Sequence, residues 1–276
     1  MPRASTCAAT VAALLTVACA EPRLPVARTM TRPGGSSPIL ASRNPAPSLP
    51  ARSAESVTPE APALVAQAEL TVQPDEAQSA AARRLLERVL QVRDSLRETR
   101  YQGSTQVRAA DGYYAFDCSG MTTWFLKRAS RRALRAVGGT RPRARDYYRA
   151  IERAPVGKTR RGWQRLAHVS EARPGDLFAF LRSPLSTSKI TGHVGFVIST
   201  PVPVPDWPGA YAVRILDSTR VPHQHDTRVD DGIGGFGFGT MVFVTDALGE
   251  VDAYGWQGTD SSWTLPTHVI FGRVDG

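Results

Sequence analysis

The spacing of apolar residues changes character along the chain, and the change divides it. Leu85, Leu86, Val89, Leu90 and Leu96 recur at helical intervals, and Asp75 to Gln78 reads as a capping box ahead of them. The pattern predicts an amphipathic helix over 76–99. Gly103 and Gly112 punctuate a loop, after which Asp117, Cys118, Ser119 and Gly120 open a second helix. Its buried face is Cys118, Met121, Phe125 and Ala129, and Gly138 and Gly139 end it. Beyond Arg173, Pro174, Gly175 and Asp176 the period drops to two. Short apolar runs follow at 177–181, 193–199, 211–216, 240–245, 251–256 and 268–274, each bounded by Gly, Pro, Asp or Ser. They predict a mostly antiparallel sheet of about six strands, and helices followed by strands mean an α+β fold.

The first 75 residues share neither pattern. Arg3 precedes an apolar run from Cys7 to Ala18, too short to span a bilayer, and small residues follow it, so residues 1–20 read as an export signal. Two processing routes are open. Ala18, Cys19 and Ala20 fit ordinary signal cleavage, whereas Leu15 to Cys19 reads as a lipobox that would make Cys19 a lipidated N-terminus and attach the chain to a membrane. Residues 21–75 hold 10 of the 21 prolines and no run that could be buried, which predicts a disordered tether. The expected organisation is therefore signal 1–20, tether 21–75 and one catalytic domain 76–276. After export the folded part keeps one cysteine, Cys118, in a compartment that oxidises thiols.

Charge alters this picture less than its size suggests. The 276 residues carry a formal net charge of +9, from 31 Arg and 3 Lys against 25 acidic residues. Residues 127–165 alone hold 14 Lys or Arg and 2 Asp or Glu, a local +12, so the remainder is slightly acidic. The basic character is one insertion-like block, with Tyr147, Tyr148 and Trp163 interleaved. It suits an anionic partner or a solvated helical face, and no nucleic-acid motif of known spacing accompanies it.

Three short motifs carry candidate chemistry. Cys118 at a helix start meets unpaired amides and the positive end of the helix dipole, which favour a thiolate nucleophile. Asp117 and Ser119 flank it as substrate-binding candidates. His193, between Gly192 and Gly195 at a strand opening, offers an imidazole that substrate can approach closely through Gly192. Asp217 ends the next long strand, where a carboxylate would orient the imidazole; His223, His225 and Asp226 compete for that role. His193 with His223, His225 and Asp226 could be imagined as a zinc site, but the His-x-His-Asp run lacks a supporting helical spacing, so neither a metal nor another cofactor is expected. The glycine-rich run Gly234 to Gly239 lacks the following helix that would make it a phosphate cradle.

Phe116 to Gly120, then Arg173 to Asp176, then Gly192 to Gly195, in this order, resemble the NlpC-type cell-wall endopeptidases of the papain-like cysteine peptidase superfamily, over roughly residues 100–245. The resemblance implies a papain-like α+β fold, its nucleophile at a helix N-terminus packed on the sheet that bears the histidine. It implies metal-free cleavage of amide bonds in peptidoglycan stem peptides, with Cys118 as nucleophile, His193 as general base and Asp217 as third polar residue. Tyr101 matches a substrate-positioning tyrosine. Asp217 where relatives carry His, and a C-terminal tail without counterpart, mark a divergent subgroup. The expected protein is thus an exported, monomeric hydrolase of the bacterial envelope whose partner is peptidoglycan or another anionic envelope polymer. A transglutaminase-like acyl transferase and a non-catalytic envelope-binding module are the alternatives. An export signal makes nucleic acid the least favoured partner.

Overall fold

The computed structural model describes residues 72–185 and 190–276. The expected export signal, the lipidation site Cys19 and the tether as far as residue 71 lie outside the described residues. Val72 is already buried, so ordered packing begins just before the predicted first helix.

Four α-helices are described: α1 (Ala80–Ser95), α2 (Cys118–Ala129), α3 (Arg131–Val137) and α4 (Ala144–Glu152). The capping box predicted at 75–78 does not form. Pro74–Glu76 is a 3-10 turn instead, and the Ser79 hydroxyl caps α1 by accepting from Ala82 N at 2.9 Å. The helix stops at Ser95, short of 99, because Glu98–Arg100 (β1) is claimed by a small sheet. There it pairs parallel with Tyr113–Ala115 (β3), which also takes Gln106–Arg108 (β2) antiparallel. The predicted second helix breaks into α2 and α3 at Ser130, whose extended backbone ends one helix while its hydroxyl accepts from Ala133 N to start the next.

The other strands are β4 (Trp163–Arg165), β5 (Leu177–Leu181), β6 (Gly192–Val197), β7 (Val202–Pro203), β8 (Ala210–Thr219), β9 (Gly235–Thr245), β10 (Val251–Gly255) and β11 (Leu265–Val274). Here the expected papain-like α+β architecture is overturned. The sheet does not lie open under a helix: β10, β9, β8, β6, β5 and β11 pair in that order, and β11 pairs back onto β10. The result is a closed six-stranded antiparallel barrel with β4 and β7 as further strands and four helices outside it. A period-two pattern identifies strands but says nothing about which edges meet, and closure here depends on β10 taking a partner on both sides.

Alternation along each strand then fills two cores. Phe178, Phe180, Val213, Ile215, Met241, Phe243 and Phe271 point inward and fill the barrel. Leu177, Ala179, Val194, Phe196, Leu216, Phe236 and Phe238 point outward and meet Leu85, Val89, Phe125 and Tyr147 of the helices. Because both faces of the central strands are covered, β6 is buried at every residue.

Candidate active site

The site is assembled where α2 starts beside one end of the barrel. Asp117 caps α2: its Oδ1 accepts from Gly120 N at 2.6 Å and from the Ser119 hydroxyl at 2.9 Å. That leaves the amides of Cys118 and Ser119, which have no intrahelical partner, at the start of the helix around the Cys118 thiol. Cys118 is the first residue of α2 and is 7 % exposed. The segment leading to it is tied to the barrel, since the Ser218 hydroxyl of β8 donates to Phe116 O at 2.7 Å.

His193 is the second residue of β6 and faces inward, between Phe180 and Trp256 at ring separations of 5.7 and 5.3 Å. Gly192 before it has φ 142°, and a Cβ there would strike Phe180 O, so no other residue fits this entry into the strand. His193 Nε2 lies 2.6 Å from Asp217 Oδ2, and the Cys118 side chain is close enough to the ring to act on its pKa. With Nε2 engaged by the carboxylate, the ring nitrogen left to serve the sulfur is Nδ1. Burial alone would lower the His193 pKa, but the Cys118 charge and the Asp217 hydrogen bond outweigh it and raise the value from 6.5 to about 9.

Asp217, fully buried on β8, is shared. Its Oδ2 also meets His223 Nε2 at 2.8 Å, and its Oδ1 accepts from the Arg228 guanidinium at 2.7 Å. Burial opposes ionisation of this carboxyl, yet Arg228, His223 and His193 together hold its pKa well below the usual carboxylate range. Arg228 is anchored in turn by Asp226, 2.6 Å away. His223 is fixed by Trp256 O at 3.0 Å from Nδ1, and its ring lies 4.1 Å from that of Trp256.

The structure therefore brings Cys118, His193 and Asp217 together. His223 and Asp226, expected as rivals of Asp217, stand around it as partners. Tyr101 lies half-buried near the sulfur, its phenol pushed up by burial and then by Cys118 and Asp117, with the Arg220 guanidinium 5.8 Å from its ring centre. Ser119 and Asp117 satisfy each other in the helix cap. His225 bonds outward, its carbonyl accepting from Arg214 at 2.6 Å.

Arg228, Trp256 and Ser218 were not legible as site residues. One signal pointed to Arg228: the alternation of glycine and phenylalanine over 235–239. Phe236 and Phe238 go to the helices, while Gly237 and Gly239 clear the opposite face, where a Cβ would come within 2.6 Å of the Arg228 side chain and 2.5 Å of His223 Cβ. Past Val242, the last β9 residue paired with β10, the edge of β9 is taken by the returning segment. Thr240 N donates to Gln224 O and Thr227 N to Phe238 O, at 2.8 and 2.9 Å. The glycine run is thus a seat for residues 223–228.

The basic block runs from the last turn of α2 through the whole of α3 and α4 to β4. All of its Lys and Arg residues are exposed except the half-buried Arg165, and among the described residues its one carboxylate ion pair is Arg145 with Asp146 at 3.9 Å. No described helix is long and apolar enough to cross a membrane. Comparison of the chain with protein-family models, with curated proteins and with solved structures gives no match.

Proposed function

We propose that the protein is an exported cysteine hydrolase that cleaves amide bonds in peptidoglycan stem peptides. The observation that carries the reading is the buried His193–Asp217 pair, Nε2 to Oδ2 at 2.6 Å, with the Cys118 side chain beside the imidazole. The ordered motifs shared with NlpC-type endopeptidases supply the substrate class, and the reading rests on them and on that pair, not on the barrel.

In the proposed reaction the Cys118 sulfur attacks the amide carbonyl carbon, while the carbonyl oxygen takes up negative charge beside the first-turn amides of α2. His193, protonated at Nδ1, gives that proton to the departing amine as the C–N bond breaks, leaving a thioester on Cys118. Water then enters, His193 removes its proton, the hydroxyl adds to the thioester, and the thiol is released with the acid product. Asp217 keeps the ring in the tautomer that presents Nδ1 to sulfur. The exposed arginines of 127–165 fit an anionic envelope polymer, which would hold the domain close to its substrate.

The test incubates the purified protein with muropeptides and follows products by mass spectrometry. Wild type is expected to release the amine-terminal and acid fragments, with transfer to an added amine scored in the same assay, and Cys118→Ser to lose about 10³-fold or more. Equal release from both proteins overturns the reading.

A further inference from the structure

Behind His193 four ionisable side chains are buried together, and the reaction above uses one of them. Asp217 and His223 are 0 % exposed, Asp226 and Arg228 are 3 % exposed, and all four bond within the group. Donor and acceptor counting fixes where the protons are. Trp256 O only accepts, so His223 Nδ1, 3.0 Å from it, carries a proton. Asp217 accepts from the Arg228 guanidinium on Oδ1, and that fixed cation helps hold its pKa well below the usual carboxylate range, so it is a carboxylate and also only accepts. His223 Nε2 at 2.8 Å from the same Oδ2 must then carry a proton as well, because a lone pair aimed at a carboxylate oxygen would be repelled. Two cations, His223 and Arg228, balance two carboxylates, Asp217 and Asp226, before His193 takes part.

We propose that His223 is a resident imidazolium which, with Arg228, clamps the Asp217 carboxylate from both oxygens and makes the two residues positioning groups for His193. The role rests on the hydrolase reading, whereas the protonation state does not. An Asp217 held by His193 alone would be free to turn about its side-chain bonds. Held on Oδ1 by Arg228 and on Oδ2 by His223, it keeps Oδ2 directed at His193 Nε2 and so leaves Nδ1 free to serve the sulfur. The other charged or titratable groups that face the cluster are His193 on β6, Cys118 on α2, Tyr101 after β1 and Arg214 on β8. Gly237 and Gly239 are the part of the sequence given over to the clamp, since side chains there would displace Arg228 and His223.

The protonation state is tested on the full chain labelled with ¹⁵N-histidine, the His223 signals being assigned by their loss in His223→Gln. Both His223 ring nitrogens are expected to be protonated at neutral pH, in wild type and in Cys118→Ala alike; one unprotonated nitrogen overturns the proposal. The positioning role is tested by the pH profile of Cys118 alkylation with iodoacetamide. His223→Leu and Arg228→Met, checked for native circular dichroism, are expected to slow neutral-pH alkylation about tenfold or more and to displace the profile. His223→Gln, which can still donate to Asp217, should recover part of the rate. Profiles that coincide with wild type in folded variants overturn the role. A wild-type Cys118 that alkylates like a free thiol counts against the hydrolase reading instead, and leaves the nitrogen measurement standing.

Discussion

The most constrained residue is Asp217, which serves two imidazoles and a guanidinium with two oxygens. Asp217→Asn keeps the shape but puts an amide N–H or a weaker acceptor against His193 and His223. It is expected to lower kcat/KM by about 10³- to 10⁴-fold while leaving near-ultraviolet circular dichroism unchanged. A second outcome follows from the raised His193 pKa. Below about 9 the ring is an imidazolium, which the proposed reaction needs for its leaving amine, so kcat/KM should fall as pH rises through about 9. The sign for stability is the same. A cation whose pKa is raised on folding stabilises fully below its unfolded value of about 6.5, and that contribution is lost as pH rises through about 9. Urea midpoints of wild type and Cys118→Ala should therefore diverge most at mildly acidic pH and converge above about pH 9. Cys118, His193 and Asp217 were legible because each sits in a short motif that dictates its own local geometry. His223 was visible only as a rival of Asp217, and Arg228 not at all, because what ties both to the site is a carboxylate reached across a chain reversal.

Among the elements, α2 and β9 do the positioning. The start of α2 was legible because the Asp117 cap is local, and its end was not, because Ser130 acts as two caps at once. On β9 the alternation of large and absent side chains was visible, but its meaning depends on what packs on each face. Gly237→Ala places a methyl within 2.6 Å of Arg228 and is expected to cost about 1–3 kcal/mol in chemical denaturation, with a loss of activity larger than Phe238→Leu causes. Phe238→Leu removes volume from the helix-facing side, away from Arg228 and His223, so its cost falls on core packing.

For the molecule as a whole, the six apolar runs of the second half all lie in barrel strands, so the strand positions were legible and the closure was not. Closure rests on β11, which pairs with β10, β5 and β4, and whose last residues also receive the Ser79 hydroxyl at Val274 O. A chain ending before Leu265 loses both seams of the barrel at once. It is expected to show no cooperative thermal transition by circular dichroism, whereas Leu248→Ala in the exposed β9–β10 turn should melt as wild type does. The seam has one more consequence. With each barrel strand paired on both sides over at least part of its length, the outer edges left among the described residues are β4, β7 and the outer strands of the small sheet, none longer than three residues. A neighbouring chain finds almost nothing to zip onto, so fibril-like self-association should be suppressed even in a crowded space where no chaperone stands by.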